Sequence, residues 1–336
     1  MTSLNKVNNY IMENSNLPKV TFGIATLNEE KRIKACLEAI VAQIYPKDKI
    51  DIIVVDGGST DKTKEIAKKF QTKIFFNKKL LAEPGLAEAY RKAAGDYVVF
   101  MAADNVIFDK YWLKKMVQPF LDDPDHISAS FSGVANLVSD NIWNKYLNED
   151  TDPFSAFVFG NASHPSKFLV EYEVEKENSD YVIYRYSTKN FPLIALAQCT
   201  MLKTGVERGA EKDFDDIAPL IDIIGKEKKI AYIKNTGIYH FSVKSFSDFI
   251  KKFNKRIYNA MKTNSYASRE GYVSSERKMR RYLFLFYSLL VVLPLLDGIK
   301  LAIIKRKSYM LLHPIASFII GLCIIFNAIK IKICRK

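Results

Sequence analysis

Residues Ile50–Val55 form an almost uninterrupted apolar run, IDIIVV, followed at once by the turn sequence Asp56-Gly57-Gly58. We interpret this run as a single strand. Apolar side chains on both faces are typical of a strand in a parallel sheet, which is covered by helices on both sides. The run therefore predicts an α/β fold with a mostly parallel sheet.

The flanking sequence repeats this alternation of strand and helix. β-rich runs at 20–27, 73–76 and 97–101 alternate with helical patterns at 62–70 and 86–94. The helix after the first run has apolar residues at the spacing of one helix face: Ile33, Cys36, Leu37, Ile40 and Val41. Successive units of this kind predict a doubly wound sheet with helices on both faces.

The net charge of +13 is concentrated at one end of the chain. Residues 241–336 hold 19 Lys and Arg against 4 Asp and Glu, a charge of +15, which leaves −2 for residues 1–240. A nearly neutral front part argues against a nucleic-acid binder. The basic residues instead flank the two most apolar stretches of the chain, which points to a membrane surface.

These two stretches, about 282–304 and 308–329, are predicted membrane segments. The second is uncharged throughout and long enough for the roughly 20 residues that a bilayer core requires. The first contains Asp297 and Lys300, so it is either one helix with an i,i+3 pair or a re-entrant or interfacial hairpin. A buried hairpin of a soluble protein is a further alternative, and the flanking basic residues argue against it.

The basic residues also predict the side of the membrane. Those at 277–281 and 330–336 place both ends of two spans in the cytoplasm, whereas 305–307 then lie on the wrong side, which favours a shallow hairpin. Residues 1–18 lack the apolar core of a signal peptide, so we expect the front domain on the cytoplasmic side of the cytoplasmic membrane.

The predicted organisation has four parts. They are an N-terminal extension (1–18), an α/β domain (19–240), basic amphipathic juxtamembrane helices (241–281) and C-terminal membrane segments (282–336). Residues 136–190 lose the strand–helix rhythm and are interpreted as a variable insertion over the sheet. The helix after a capping box at 245–248 has an apolar stripe with a cationic flank, which fits either a membrane interface or ordinary packing on the core.

Acidic residues lie where strands are predicted to end. Asp56 ends the second strand, Asp104 follows the strand at 97–101, and an acidic cluster at 213–216 begins a helix. Each one alone is explained by helix capping or the helix dipole. In an open parallel sheet, however, ligands bind beyond the carboxyl ends of the strands, and grouped carboxylates there can bind a nucleotide and a divalent ion.

Three segments resemble the successive signatures of family 2 glycosyltransferases, in the same order and spacing. They are TLNEE at 26–30, VVDGGSTDKT at 54–63 and GDYVVFMAAD at 95–104. The resemblance covers roughly 19–240. It implies the GT-A fold, a nucleotide-diphosphate sugar donor, a divalent metal (Mg²⁺ or Mn²⁺) and inversion at the anomeric carbon.

The resemblance also implies a donor site. The residues expected at the nucleotide sugar are Thr26, Asn28, Glu29, Asp56, Gly58, Ser59 and Asp104. Among them, Asp56 would contact the uracil or guanine ring or its ribose. Asp104 matches the second acid of the family's Asp-x-Asp motif, which binds the metal and the diphosphate.

The first acid of that motif is replaced by Ala102. The ion is then left to Asp104 with waters and phosphates, or to Asp104 together with Asn105 or His240. His240 matches a strand-end His of the family that is sometimes a metal ligand, and a hydrogen-bonded structural His is an equally good explanation. The missing acid also raises the alternative of a weakly active or inactive relative.

A further acidic motif is expected to provide the catalytic base. Residues 212–215, KDFD, resemble the family's Glu-Asp-x-Asp motif, which makes Asp213 the base, while a shift of register passes the match to Asp215 or Asp216. The base would take a proton from an acceptor hydroxyl as it attacks the anomeric carbon. A lipid phosphate acceptor is already ionised, and Asp213 would then mainly position it.

These observations predict a glycosyltransferase of the hexosyltransferase type that transfers a sugar to a lipid-linked or membrane-associated acceptor in glycan or polysaccharide biosynthesis. Residues 84–90, PGLAEAY, resemble a run of polyprenyl-phosphate sugar synthases, and Arg256 could bind a lipid phosphate or be only a solvated charge. A polyprenyl-phosphate monosaccharide synthase is therefore one alternative. A non-catalytic, nucleotide-sugar-binding membrane scaffold that lost its chemistry at Ala102 is the other.

Overall fold

The computed structural model describes residues 17–78, 82–160, 172–188, 190–194, 196–205, 218–263 and 275–334. The chain divides into two compact units. The first consists of Met1–Ala135, Tyr172–Tyr186 and Ile194–His240, and the second of Asn136–Glu171, Ser187–Leu193 and Phe241–Lys336. Part of the predicted insertion at 136–190 thus belongs to each unit.

The first unit is built on a mixed sheet. Its strands are β1 (Val20–Thr26), β2 (Ile50–Asp56), β3 (Lys73–Phe76), β4 (Tyr97–Ala102), β5 (Asn105–Ile107), β6 (Ile127–Ala135), β7 (Val174–Glu177), β8 (Tyr181–Tyr184), β9 (Gln198–Lys203) and β10 (Lys229–His240). Their order is β3-β2-β1-β4-β9-β6-β10-β8-β7, with β5 paired to β10.

The direction of the strands changes across the sheet. From β3 to β4 the pairs are parallel, as the two-faced apolar runs predict. Beyond β4 the sheet is mixed, because β9 runs antiparallel to both β4 and β6, and β8 runs antiparallel to β10. The predicted α/β fold is confirmed, and parallel pairing dominates only in the half that contains β1 and β2.

Helices of the first unit cover the sheet. They are α1 (Ile33–Val41), α2 (Thr63–Lys68), α3 (Ala82–Lys92), α4 (Trp112–Asp122) and α7 (Ala218–Gly225). The predicted face of α1 is confirmed, since four of its five apolar residues are buried and Val41 at the helix end is exposed. The α3 helix packs closely on β1, where a Cβ on Gly23 would lie 2.7 Å from the Cβ of Ala89.

The second unit is helical. It contains α5 (Ile142–Asp150), α6 (Pro153–Phe159), α8 (Phe246–Thr263), α9 (Ser275–Leu289), α10 (Val292–Lys305) and α11 (His313–Cys334). The predicted capping box at the start of α8 is present, because the backbone N–H of Asp248 donates to Ser245 Oγ at 3.2 Å. An apolar core of this unit joins Trp143 and Tyr146 of α5 to residues of α8, α9 and α11.

The two predicted membrane segments differ in shape. The first is bent by 95° between Met279–Leu289 and Val292–Lys305, so it is not one straight helix. The second falls in Ser308–Ile333, 26 residues that include an 18-residue stretch with a mean hydropathy of 2.1, and it is long and apolar enough to cross a membrane. Among the described residues, this is the single continuous stretch that meets both conditions.

The close approach of β6 and β10 provides a test of the fold. Gly237 pairs with Gly133, and a Cβ on Gly237 would overlap the carbonyl oxygen of Gly133. We expect Gly237→Ala to lower the free energy of unfolding by about 1–3 kcal/mol, because backbone would have to move. Gly133→Ala is the matched control, since its Cβ would meet the flexible hydroxyl end of Tyr232 at 3.1 Å. Urea unfolding measures both, and equal losses would contradict this packing.

Candidate functional site

The parallel strands bring the predicted donor residues to one edge of the sheet. In the register of β1 with β2 and β4, Thr26 lies opposite Asp56, and Ala25 lies opposite Ala102. The loops that follow these strands therefore begin side by side, at the carboxyl edge where open sheets bind ligands.

Asp56 holds the loop that follows β2. Its Oδ2 accepts hydrogen bonds from the backbone N–H groups of Gly58 at 2.9 Å and Ser59 at 2.8 Å. Its Oδ1 accepts from the hydroxyls of Thr26, at 3.3 Å, and of Ser59. Since a carboxylate offers about four acceptor positions, these donors occupy most of its capacity. The side chain is only 2% exposed, so it shapes the loop from beneath.

A second set of hydrogen bonds joins this loop to the loop after β1. The N–H of Asn28 donates to Ser59 Oγ at 2.9 Å, and the Asn28 side-chain oxygen accepts from the N–H of Thr60 at 2.9 Å. The N–H of Glu29 donates to Thr63 Oγ1 at 2.7 Å. Asn28 has a φ of 58°, a left-handed conformation that asparagine tolerates better than most residues. The two signature segments thus form one rigid surface.

Asp104 and His240 meet because β5 turns back onto the end of β10. Asn105, directly after Asp104, is the register partner of His240 in this antiparallel pair. As a result, His240 Nε2 lies 3.6 Å from Asp104 Oδ2, with side chains 17% and 14% exposed. Residues far apart in sequence are therefore neighbours at the same edge of the sheet.

This pair is the best candidate for holding a divalent ion. Among the described residues, no group of three His, Cys, Asp or Glu side chains could hold a metal. The neighbouring Cys36 is unsuited as a thiolate ligand, because burial and the carboxylates of Asp104 and Glu29 raise the pKa of its thiol. The residues present fit an ion that takes two ligands from the protein and the others from phosphate and water.

Three predicted site residues fall outside the described part of the first unit. Asp213 and Asp215, the candidate bases, lie outside the described residues, as does Asp216. Arg256 belongs to the second unit, where Nη1 lies 3.6 Å from Asp152 Oδ2 and the arginine side chain is 48% exposed. Its charge is partly balanced within that unit.

Two residues at the edge were missed by sequence reasoning. Phe76, at the end of β3 and in register with Asp56, is 63% exposed. A Cβ on Gly58 would lie 3.6 Å from its ring, so the ring flanks the turn after Asp56. Arg32, at the start of α1, points its Nη1 to Glu29 Oε2 at 3.4 Å. In the sequence, Phe76 belongs to an apolar strand, KIFF, and is indistinguishable from a core residue.

The sequence was compared with known families and proteins. Residues 21–179 match the family described as Glycosyl transferase family 2. Glycosyltransferase AglE of Haloferax volcanii is 33% identical over 144 residues, 41% of this chain and 43% of that protein. A Methanococcus voltae dolichyl N-acetyl-α-D-glucosaminyl phosphate 3-β-D-2,3-diacetamido-2,3-dideoxy-β-D-glucuronosyltransferase is 31% identical over 128 residues, 35% of this chain and 40% of that protein. The chain thus spans less than half the length of these relatives.

A solved structure confirms the fold. The mannosyltransferase PcManGT of Pyrobaculum calidifontis, in complex with GDP-Man and Mn²⁺, aligns over 92% of this chain and 88% of its own. The TM-score is 0.54 and the sequence identity 17%. The predicted GT-A fold is thereby confirmed. The predicted class of protein, a glycosyltransferase, is confirmed by the family match and the named relatives. Its strand-end motifs, its fold and the family match agree that residues 21–179 form a Glycosyl transferase family 2 domain.

Proposed function

We propose that this chain is an inverting glycosyltransferase that transfers a sugar from a nucleotide-diphosphate sugar to a lipid-linked acceptor at a membrane, in glycan biosynthesis. The observation that carries the proposal is the meeting of Asp104 and His240 at the sheet edge where Asp56 holds its loop. The loop that Asp56 orders offers a surface for the nucleoside. The carboxylate–imidazole pair offers ligands for a divalent ion that binds the diphosphate.

The nucleoside would lie on the loops that Asp56 and Asn28 hold together. Asp56 is nearly inaccessible, so it acts chiefly by fixing the Gly58 and Ser59 backbone that faces the ligand. The exposed ring of Phe76 offers a face on which the base can stack. Arg32, 20% exposed beside Glu29, adds positive charge at the same edge.

The diphosphate would lie at Asp104 and His240, which would hold a Mg²⁺ or Mn²⁺ ion. Such an ion supplies neutralisation of the charge that develops on the leaving diphosphate. Ala102 contributes no ligand, so binding of the ion would depend on the side chains of Asp104 and His240 and on oxygens of the nucleotide-sugar donor. PcManGT, which shares the fold, is described with Mn²⁺ and GDP-Man, and this supports a metal and a nucleotide sugar here.

The acceptor is proposed to be lipid-linked. The Methanococcus voltae relative is named for a dolichyl N-acetyl-α-D-glucosaminyl phosphate, and Ser308–Ile333 is apolar enough to cross a membrane. Asp213 is proposed as the base, with Asp215 as the alternative in the shifted register. Arg256, half-exposed, is proposed to contact a lipid phosphate.

The run that suggests a polyprenyl-phosphate synthase as an alternative also has a packing explanation in the structure. Residues 84–90 lie within α3, whose small residues have a packing role. A Cβ on Gly85 would lie 3.1 Å from the Cβ of Ala25 and 3.0 Å from the side chain of Asn77. Contact with β1 therefore explains the glycine without a lipid phosphate.

The metal site is tested by titrating the full chain with UDP and GDP sugars, with and without Mn²⁺. We expect Asp104→Asn and His240→Ala each to weaken metal-dependent affinity at least about tenfold, since loss of an outer-shell partner of a metal ligand alone costs about 10–100-fold. His126→Ala is the control, because this exposed histidine pairs with Asp123 instead. Unchanged metal dependence in both site variants would refute the assignment.

The base-stacking role of Phe76 is tested without metal. Phe76→Ala should weaken UDP or GDP binding about tenfold, within the ~1–3 kcal/mol that a stacked aromatic contributes, and Phe76→Tyr should retain it. Asp51→Asn, in β2 at the opposite edge, is the control and should bind normally. Wild-type affinity in Phe76→Ala, measured by isothermal titration, would show that the base lies elsewhere.

The proposed base is tested by transfer assays with a lipid extract. Asp213→Asn should lower kcat by about 10²–10⁴ with unchanged donor affinity, because it removes proton transfer alone. Asp215→Asn should then have a smaller effect, and the reverse order would assign the base to Asp215. If the wild type is inactive and Ala102→Asp creates Mn²⁺-dependent turnover, the non-catalytic alternative is supported instead.

A further inference from the structure

We infer that α9, α10 and α11 enter a membrane from one side only, with α11 lying along the bilayer surface and not across it. The inference deepens, and rests on, the membrane-associated acceptor proposed above. It names the surface that meets the lipid and the topology of the chain. All the contacts that support it lie within the second unit.

The apolar surface of these helices is unusually large. Of the thirty-one large hydrophobic side chains that are exposed among the described residues, twenty-one lie between Met279 and Ile333. A soluble monomer rarely leaves so much apolar surface in one region exposed to water. Basic residues lie at the ends of these apolar stretches, at 280–281, 305–307, 330 and 332, which suits a bilayer that contains anionic lipids.

One face of α11 is exposed along the whole helix. The exposed residues are spaced by three or four positions: Ile315, Phe318, Leu322, Phe326, Ile329 and Ile333. The opposite face is buried and includes Ala316, Ile320, Cys323 and Asn327. The helix therefore has a single lipid-facing stripe along its length, which is the pattern of a helix that lies in an interface.

The start of α11, the turn before it and the end of α10 are bound to α5. The hydroxyl of Tyr146 lies 2.8 Å from His313 Nδ1, and the hydroxyl of Tyr309 donates to Glu149 Oε2 at 3.4 Å. The ammonium of Lys305 donates to the backbone carbonyl of Glu149 at 3.0 Å. The start of α11 thus contacts a helix that carries charged and amide side chains.

The end of α11 is bound to α8. Asn327 Nδ2 donates to Asn254 Oδ1 at 2.8 Å, and Lys330 Nζ lies 5.0 Å from the centre of the Tyr258 ring. The charged residues that α8 exposes are Lys251, Lys255, Arg256 and Lys262. Both halves of α11 are therefore fixed to helices with charged surfaces.

This arrangement is incompatible with a crossing. If α11 spanned the bilayer, α5 at its start would be carried to the far side and charges of α8 would enter the hydrocarbon, which is costly. If α11 lies along the bilayer surface, the charged residues of α5 and α8 stay in water. Lys305–Lys307 then lie on the same side as the other basic residues, and the conflict with the positive-inside pattern disappears.

The elbow between α9 and α10 is the part that we expect to penetrate deepest. The chain bends by 95° at this break, and every residue from Leu289 to Leu293 is exposed. The Tyr287 hydroxyl donates to Asp297 Oδ2 at 2.7 Å and lies 3.0 Å from His313 Nε2, which ties α9, α10 and α11 together. The elbow is thus an apolar tip that is held in place by polar contacts among the three helices.

Labelling of single cysteines tests the topology in the full chain. The parent variant for labelling carries Cys334→Ser, so that its remaining cysteines are Cys36, Cys199 and Cys323. These three are buried, and we expect them not to react. Arg306→Cys, Lys332→Cys and Lys251→Cys are each treated with a membrane-impermeant maleimide in sealed inverted and right-side-out vesicles. We expect all three to react in inverted vesicles only. Reaction of positions 306 and 332 from opposite faces would overturn the inference.

Vesicle flotation tests the elbow. Leu290→Glu with Val292→Glu should reduce binding to vesicles of phosphatidylcholine and phosphatidylglycerol about tenfold or more, because two leucine-sized contacts with lipid are lost. Val138→Glu, at a fully exposed position of the same unit, should bind like the wild type. Undiminished binding of the elbow variant, or a wild type that stays soluble as a dimer, would overturn the inference. Donor titration reads a different property, so either result leaves the proposed function separately testable.

Discussion

Parallel pairing of β1 with β2 and β4 is the constraint on which the rest of the donor site depends. Because of this pairing, the three strands end at the same edge of the sheet, at Thr26, Asp56 and Ala102. The loops after these strands therefore share a surface. Asp56 then fixes one loop, and Asn28 ties the other loop to it. The antiparallel return of β5 onto β10 completes the edge with Asp104 and His240.

Much of this arrangement could be predicted from local patterns. The apolar runs located β1 to β4, and the grouping of acidic residues at several predicted strand ends, Asp56 among them, indicated a ligand-binding edge. The change to antiparallel pairing at β9 could not be predicted, because strand direction depends on long-range connections that leave no periodicity in the sequence. Asp104 and His240 were each identified by a motif, but their closeness, 3.6 Å between Oδ2 and Nε2, follows from the register of β5 with β10.

The limits of sequence reasoning are clearest at the apolar residues. Phe76 belongs to a strand that could equally be buried on both faces, and only the edge position of β3 exposes it. For 282–304, the charges of Asp297 and Lys300 left one helix or a hairpin open, and the structure has a 95° bend before both charges, between Leu289 and Val292. Hydropathy likewise predicted a crossing helix at 308–329. The contacts of its two ends with α5 and α8 are tertiary, and they favour a helix that lies in the interface.

The two units thus divide the work that we propose, with the sheet edge binding the donor and the helices binding the membrane. The most direct test of the donor site is anomalous diffraction from crystals of the full chain grown with Mn²⁺ and UDP or GDP. We predict a single anomalous peak for a manganese ion that is bound by Asp104, His240 and the diphosphate, with the nucleobase beside Phe76. A nucleotide bound with its metal away from both side chains would contradict the account.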